Sequence, residues 1–170
     1  AAISGDCAGG GAELGWACDF RVAESQARFC QPEIDLGLTT GIGGCSRLAR
    51  LAGRSLATEM VMTGRPVSAR RLHELGAVNR LVATGEALEA SLELARTLAS
   101  KPPLALAALK RTLNACMEQP LEQALAAEQE VFQSVVASDD ALQAMARVQA
   151  RYDAGESVAD VGQYDKHAPR

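Results

Sequence analysis

Two glutamates stand where an ionised group is costly. Glu13 lies in the apolar stretch Ala12-Glu13-Leu14-Gly15-Trp16-Ala17, and Glu33 lies between Pro32 and Ile34. A carboxylate among apolar neighbours gives up hydration, so it is kept where hydrogen bonds or chemistry compensate. Just ahead of Glu13 comes Gly9-Gly10-Gly11, after the strand-like Ala1-Ala2-Ile3-Ser4-Gly5 and before a short apolar helix. A glycine turn at a helix start presents backbone N–H groups, which with the helix dipole stabilise an anion or a developing negative charge. Two carboxylates beside such an amide cradle form a set suited to general acid–base work on a carbonyl compound. Taken singly, each has a plainer reading: three glycines make a tight turn, Glu13 complements a helix dipole, and Glu33 is a loop acid. The triplet matches neither GxGxxG nor the Walker A pattern, so nucleotide binding of those kinds is not indicated.

The elements that must hold these residues alternate in short pieces. A helix follows the glycines to Cys18. Asp19–Ala23 and Arg28–Cys30 read as strands around the polar turn Glu24-Ser25-Gln26, and Pro32 then breaks regularity. Gly37, Gly41, Gly43 and Gly44 mark a loop before the chain turns helical near Arg47. Ser68 is placed to cap a helix that closes at Gly76, and Ala77–Val82 reads as a strand. Beyond it, Leu88, Leu92, Ala95 and Leu98 recur at helical spacing up to Lys101-Pro102-Pro103. Further helices are predicted over Leu104–Met117, over the stripe Leu121, Leu125, Phe132 and Val136, and from Ser138 to about Tyr152. An α/β layer followed by a helical region is the expected fold class. The tail after Gly155 is polar.

Composition narrows the partners. A chain of 170 residues, 48% hydrophobic and 22% charged, suits one soluble domain, and 4% aromatic content leaves its core to Ala, Leu and Val. A net charge of -4 provides no field for nucleic acid or an anionic membrane, and no apolar run is long enough to cross a bilayer. The five cysteines are scattered without a CxxC pair, and His73 and His167 lie far apart. No zinc spacing results, no metal is expected, and reduced thiols in a cytoplasmic compartment are the better reading. The chain opens inside a strand-like segment without an initiator Met, so residues upstream of Ala1 are expected to be missing.

The order of the motifs carries a resemblance. Ala2-Ile3-Ser4-Gly5, then Gly9 to Leu14, then Cys18-Asp19-Phe20-Arg21-Val22-Ala23 is similar to the central signature of the enoyl-CoA hydratase/isomerase, or crotonase, family. Ala27 to Ile34, Gly37 and Gly41-Ile42-Gly43-Gly44 continue it in register, as do Arg47-Leu48, Glu59 to Gly64 and Ala69 to Asn79. The resemblance implies the C-terminal part of a ββα spiral that binds acyl-CoA thioesters and stabilises a thioester enolate by two backbone N–H groups. Gly10 would supply one, and the other would come from a loop upstream of this segment. Glu13 would act as base on a water and Glu33 would deliver a proton to the α-carbon, which is enoyl-CoA hydration. Keeping both acids favours that over isomerisation. Gly41 in the loop near the acyl group and Trp16, a bulky side chain that narrows the acyl pocket, are the substrate-binding candidates. Core packing is the plainer reading of Trp16 and the favoured one. Thr40 departs from the proline usual at its position, and Arg147 and Arg151 only loosely follow the family's basic C-terminal stretch.

Residues 1–83 would then belong to the spiral core, 84–154 to a helical oligomerisation region and 155–170 to the tail. The resemblance implies a homotrimer or a dimer of trimers. It requires no cofactor, since coenzyme A is part of the substrate. Alternatives are another reaction of the family (enoyl-CoA isomerase, carnitinyl-CoA-type dehydratase, hydratase–lyase) or a catalytically silent fragment that serves as an assembly module.

Overall fold

The computed structural model describes residues 1–157. Of the tail expected over 155–170, everything after Ser157, His167 included, lies outside the described residues. Two compact units divide at Thr97 and Leu98. The division falls inside a helix, where the sequence pattern put the change of character just ahead of it.

The first unit begins with strands β1 (Ala2–Ile3) and β2 (Asp6–Ala8) and helix α1 (Gly10–Ala17). Strands β3 (Val22–Glu24) and β4 (Arg28–Cys30) follow, then a 3-10 helix over Pro32–Leu36, α2 (Ser46–Ala52) and α3 (Arg54–Thr63). The unit continues through β5 (Val67–Ser68), α4 (Ala69–Glu74) and β6 (Arg80–Val82) into α5 (Ala87–Ala99). One sheet has the order β1-β3-β6, all parallel, with Ile3 opposite Ala23 and Ala23 opposite Leu81. The other has the order β2-β4-β5, with β2 and β4 parallel and β4 and β5 antiparallel. Parallel neighbours require a crossover between them. Here each turn of chain lays one strand in each sheet, and α1 carries the first return. The result is a spiral.

Local chemistry sets the boundaries. Ser68 caps α4 by accepting from the Arg71 N–H at 3.2 Å, and Gly76, at φ 78°, closes it as the sequence predicts. The expected strand from Asp19 starts only at Val22, because the buried Arg21 side chain donates to the carbonyls of Cys18 at 2.6 Å, Gly15 at 3.2 Å and Ala77 at 2.6 Å. That guanidinium closes the end of α1 and joins it to the turn after α4. Burial lowers the Arg21 pKa, with the nearby Cys18 and Asp19 opposing. Strands β2 and β5 were not expected from sequence. The core rests on small and aliphatic residues around one stacked aromatic pair, Trp16 on Phe29, with ring centroids 5.0 Å apart.

The second unit contains α6 (Pro103–Cys116), α7 (Leu121–Val136) and α8 (Asp139–Asp153). Pro102 and Pro120 stand just ahead of α6 and α7, and the Ser138 hydroxyl accepts from the Ala141 N–H at 3.3 Å to cap α8. Helix α6 lies against α7, and α7 against α8. Among the described residues no helix is long and apolar enough to cross a membrane.

Candidate active site

The glycine triplet forms the start of α1. Gly9 takes φ 51° and ψ −127°, a conformation that L side chains rarely adopt, and its N–H donates to the Cys30 carbonyl at 3.1 Å. The first intrahelical bond runs from the Glu13 N–H to the Gly9 carbonyl at 3.0 Å. The N–H groups of Gly10, Gly11 and Ala12 therefore lie ahead of the hydrogen-bonded ladder, at the positive end of the helix. Gly10 itself is exposed. Such N–H groups at a helix start are able to stabilise an anion.

Glu13 is 4% exposed, on the first turn of α1. Its Oε1 accepts from the N–H groups of Ile42 and Gly44, each at 2.8 Å. The glycine loop thus compensates the buried carboxylate with backbone donors. Oε2 has no hydrogen-bond partner among the described residues and is not sealed from solvent. One oxygen is anchored and the other is open.

Glu33 comes from the 3-10 helix after Pro32 and is half-buried. Its carboxylate faces the start of α1: a Cβ added at Gly9 would lie 3.2 Å from Oε1. The fully buried Gln31 holds it from the other side. Its neighbours fix the direction of its amide, which donates to both Glu33 oxygens at 3.1 Å and accepts from Trp16 Nε1 at 3.1 Å. A Cβ at Gly44 would come within 2.9 Å of the same amide. Gly44, which donates to Glu13, therefore also touches the residue that holds Glu33. Glu13, Glu33 and the Gly10 turn form one neighbourhood through Gly44, Gln31 and Gly9.

Other candidates fall differently. Gly41 is exposed in the glycine loop next to Ile42. Trp16 is 3% exposed, so its ring belongs to the core on Phe29 and its polar edge to Gln31. The Thr40 hydroxyl accepts from the Cys45 N–H at 3.1 Å, clipping the glycine loop to the start of α2 in place of a proline. Burial, then Asp6 and Glu33, push the Cys30 thiol up, so it remains protonated beside the site. Arg147 and Arg151 share a groove on the second unit with Lys101 and Asp140, and Arg151 bonds Glu156 at 2.9 Å. Among the described residues no cluster of His, Cys, Asp or Glu could hold a metal ion. Sequence reasoning missed Gln31 and the Ile42 and Gly44 amides. The one signal for them was a glycine-rich loop of the right length to bring amides back to an acid.

Comparison with known proteins bears on this arrangement. The sequence model of the enoyl-CoA hydratase/isomerase family matches residues 1–153. The chain is 37% identical over 145 residues to the short-chain-enoyl-CoA hydratase of Clostridium acetobutylicum, covering 85% of this chain and 56% of that protein. It is 41% identical over 147 residues to the carnitinyl-CoA dehydratase of Salmonella heidelberg, covering 84% and 56%. A crystal structure of an enoyl-CoA hydratase subunit from Geobacillus kaustophilus superposes with a TM-score of 0.85 at 38% identity, over 88% of this chain and 58% of that one. The fold is that of these crotonase-type structures, and the chain spans about half the length of the curated relatives it matches.

Proposed function

The chain belongs to the enoyl-CoA hydratase/isomerase family, and on that premise we propose that it is the catalytic-carboxylate half of an enoyl-CoA hydratase, adding water syn to a trans-2-enoyl-CoA thioester. The observation that supports this reading is that two differently held carboxylates, Glu13 on the first turn of α1 and Glu33 against Gly9, both belong to the neighbourhood of the α1 start. Glu13 is anchored through Oε1 and keeps Oε2 open, which suits a base that takes a proton from water. Glu33 lies against Gly9 under the Gln31 amide and delivers a proton to the α-carbon. Between the two steps negative charge collects on the thioester oxygen, and the Gly10 N–H at the positive end of α1 is the donor for it. Gly41, exposed in the loop whose neighbouring amide binds Glu13, is a backbone contact for the acyl group.

The substrate is an acyl-CoA thioester and no separate cofactor takes part. Five free thiols support a reducing, cytoplasmic setting. Self-association as a homotrimer or a dimer of trimers belongs to the same reading. The similarity to a carnitinyl-CoA dehydratase favours one alternative, elimination of water from a β-hydroxyacyl thioester by the same two acids run in reverse.

The test is hydration of trans-2-enoyl thioesters by the full-length enzyme, followed by loss of the conjugated absorbance. Glu13→Gln and Glu33→Gln should each lower kcat by about 10²–10⁴-fold, the scale of a general acid or base, with thioester binding retained. Near-normal hydration by either variant rules out the paired mechanism. Turnover of carnitinyl-CoA alone would assign the reverse reaction.

A further inference from the structure

Trp16 is the chain's single tryptophan, and its two edges do different things. The ring stacks on Phe29, and the indole N–H points at Gln31. Gln31 has no exposed surface, so no water can relieve a wrongly turned amide. On one side stands a donor, the indole N–H; on the other stand two acceptors, the Glu33 oxygens. Only one orientation satisfies both sides. Inverted, the amide would set its N–H against the indole N–H and its carbonyl against the carboxylate, leaving buried groups unpaired. Gly44 lies close beside the amide, and only a residue without a Cβ leaves it room there.

We propose that Trp16 is a positioning residue for Glu33: its indole N–H anchors the carbonyl end of the Gln31 amide, so that the NH₂ end holds the Glu33 carboxylate at the start of α1. The proposal rests on the reading of Glu33 as the proton donor. A phenylalanine at position 16 would keep an aromatic ring to stack on Phe29, at the cost of a small void where the five-membered ring of the indole now lies. It would also remove the donor that anchors the Gln31 carbonyl, leaving that oxygen buried and unpaired and the amide held only by the carboxylate it is meant to position. The bulk of Trp16 belongs to the core, while its one polar atom acts on the site.

Two measurements test this. In ¹H–¹⁵N spectra of the full chain, Trp16 gives one indole resonance. Glu33→Gln should shift that resonance, and Trp16→Phe should shift the Gln31 side-chain NH₂ pair. Unmoved resonances in both variants overturn the link, whether or not the protein turns over enoyl thioesters. In the full-length enzyme, Trp16→Phe should lower kcat roughly tenfold with KM nearly unchanged, within the ~10²-fold that a misplaced catalytic group can cost. A variant that melts earlier but keeps its kcat makes Trp16 a packing residue only and overturns the proposal. Shifted resonances in a protein whose wild type hydrates no enoyl thioester would uphold the link and reject only the functional reading.

Discussion

Gly44 serves two carboxylates at once. Its N–H donates to Glu13 at 2.8 Å, and its missing side chain leaves room for Thr40 and the Gln31 amide. A Cβ there would lie 2.6 Å from Thr40 Cγ2, closer than real contacts allow. Gly44→Ala should therefore destabilise the fold by about 1–3 kcal/mol, the usual cost of overpacking. It should also lower kcat more than KM, because the same shift loosens the Glu13 anchor and the Gln31 hold. Denaturant melts and initial rates on one preparation check both, and an alanine variant with wild-type stability would mean that the loop relaxes freely. At this scale the glutamates were legible because charge in an apolar run is visible in the sequence itself. Gln31 was not, since between Cys30 and Pro32 it looks like any polar residue until the fold brings Trp16 beside it. The Ile42 and Gly44 donors are backbone groups, which every residue but proline carries, so no residue type announces them.

Strand β3 shows how an element is held by the charges at its ends. Arg21, just ahead of it, satisfies the carbonyls that close α1. Glu24, at its far end and 3% exposed, faces the start of α5. Burial pushes the Glu24 carboxyl up, but hydrogen bonds from Gln26 and from the backbone at Gly85 and Ala87 outweigh this and hold it below the ordinary carboxylate range. A carboxyl lowered in the folded state adds stability above its unfolded pKa, and that contribution is lost as pH falls through the folded value. Wild type should thus be more stable than Glu24→Gln at pH 7, with the difference in melting temperature shrinking below about pH 4, where model glutamate titrates. A difference independent of pH would assign the effect to packing. The long helices α5 to α8 were readable from their 3.6-residue stripes and flanking prolines or serine. Strands β2 and β5, of 3 and 2 residues, contain too little chain for a period of two to register. Their place is fixed by pairing with β4, a contact no local pattern encodes.

Across the whole molecule, the two units bury their apolar residues unequally. Most core residues belong to the first unit, whereas α7 leaves Leu121 at 74%, Leu125 at 56% and Phe132 at 56% exposed on one stripe. Apolar surface gathered on one stripe is what an interaction face would present, unlike apolar residues scattered singly. The stripe was legible as periodicity, but its exposure was not, because a sequence shows which residues share a face and not what covers it. If α7 meets another copy of the protein, full-length enzyme should sediment at micromolar concentration as a trimer or a multiple of it. Leu125→Asp with Phe132→Asp should then shift it toward monomer. Among the described residues strands β1 and β2 each stand at the edge of their sheets, and an edge that stays unpaired can recruit strands from any chain. The aspartate pair separates the two modes of association, since it disrupts a helical interface and leaves edge pairing untouched. Persistence of the assembly in that variant would place the contact on the sheets, and a monomeric wild type would remove self-association from the proposed function.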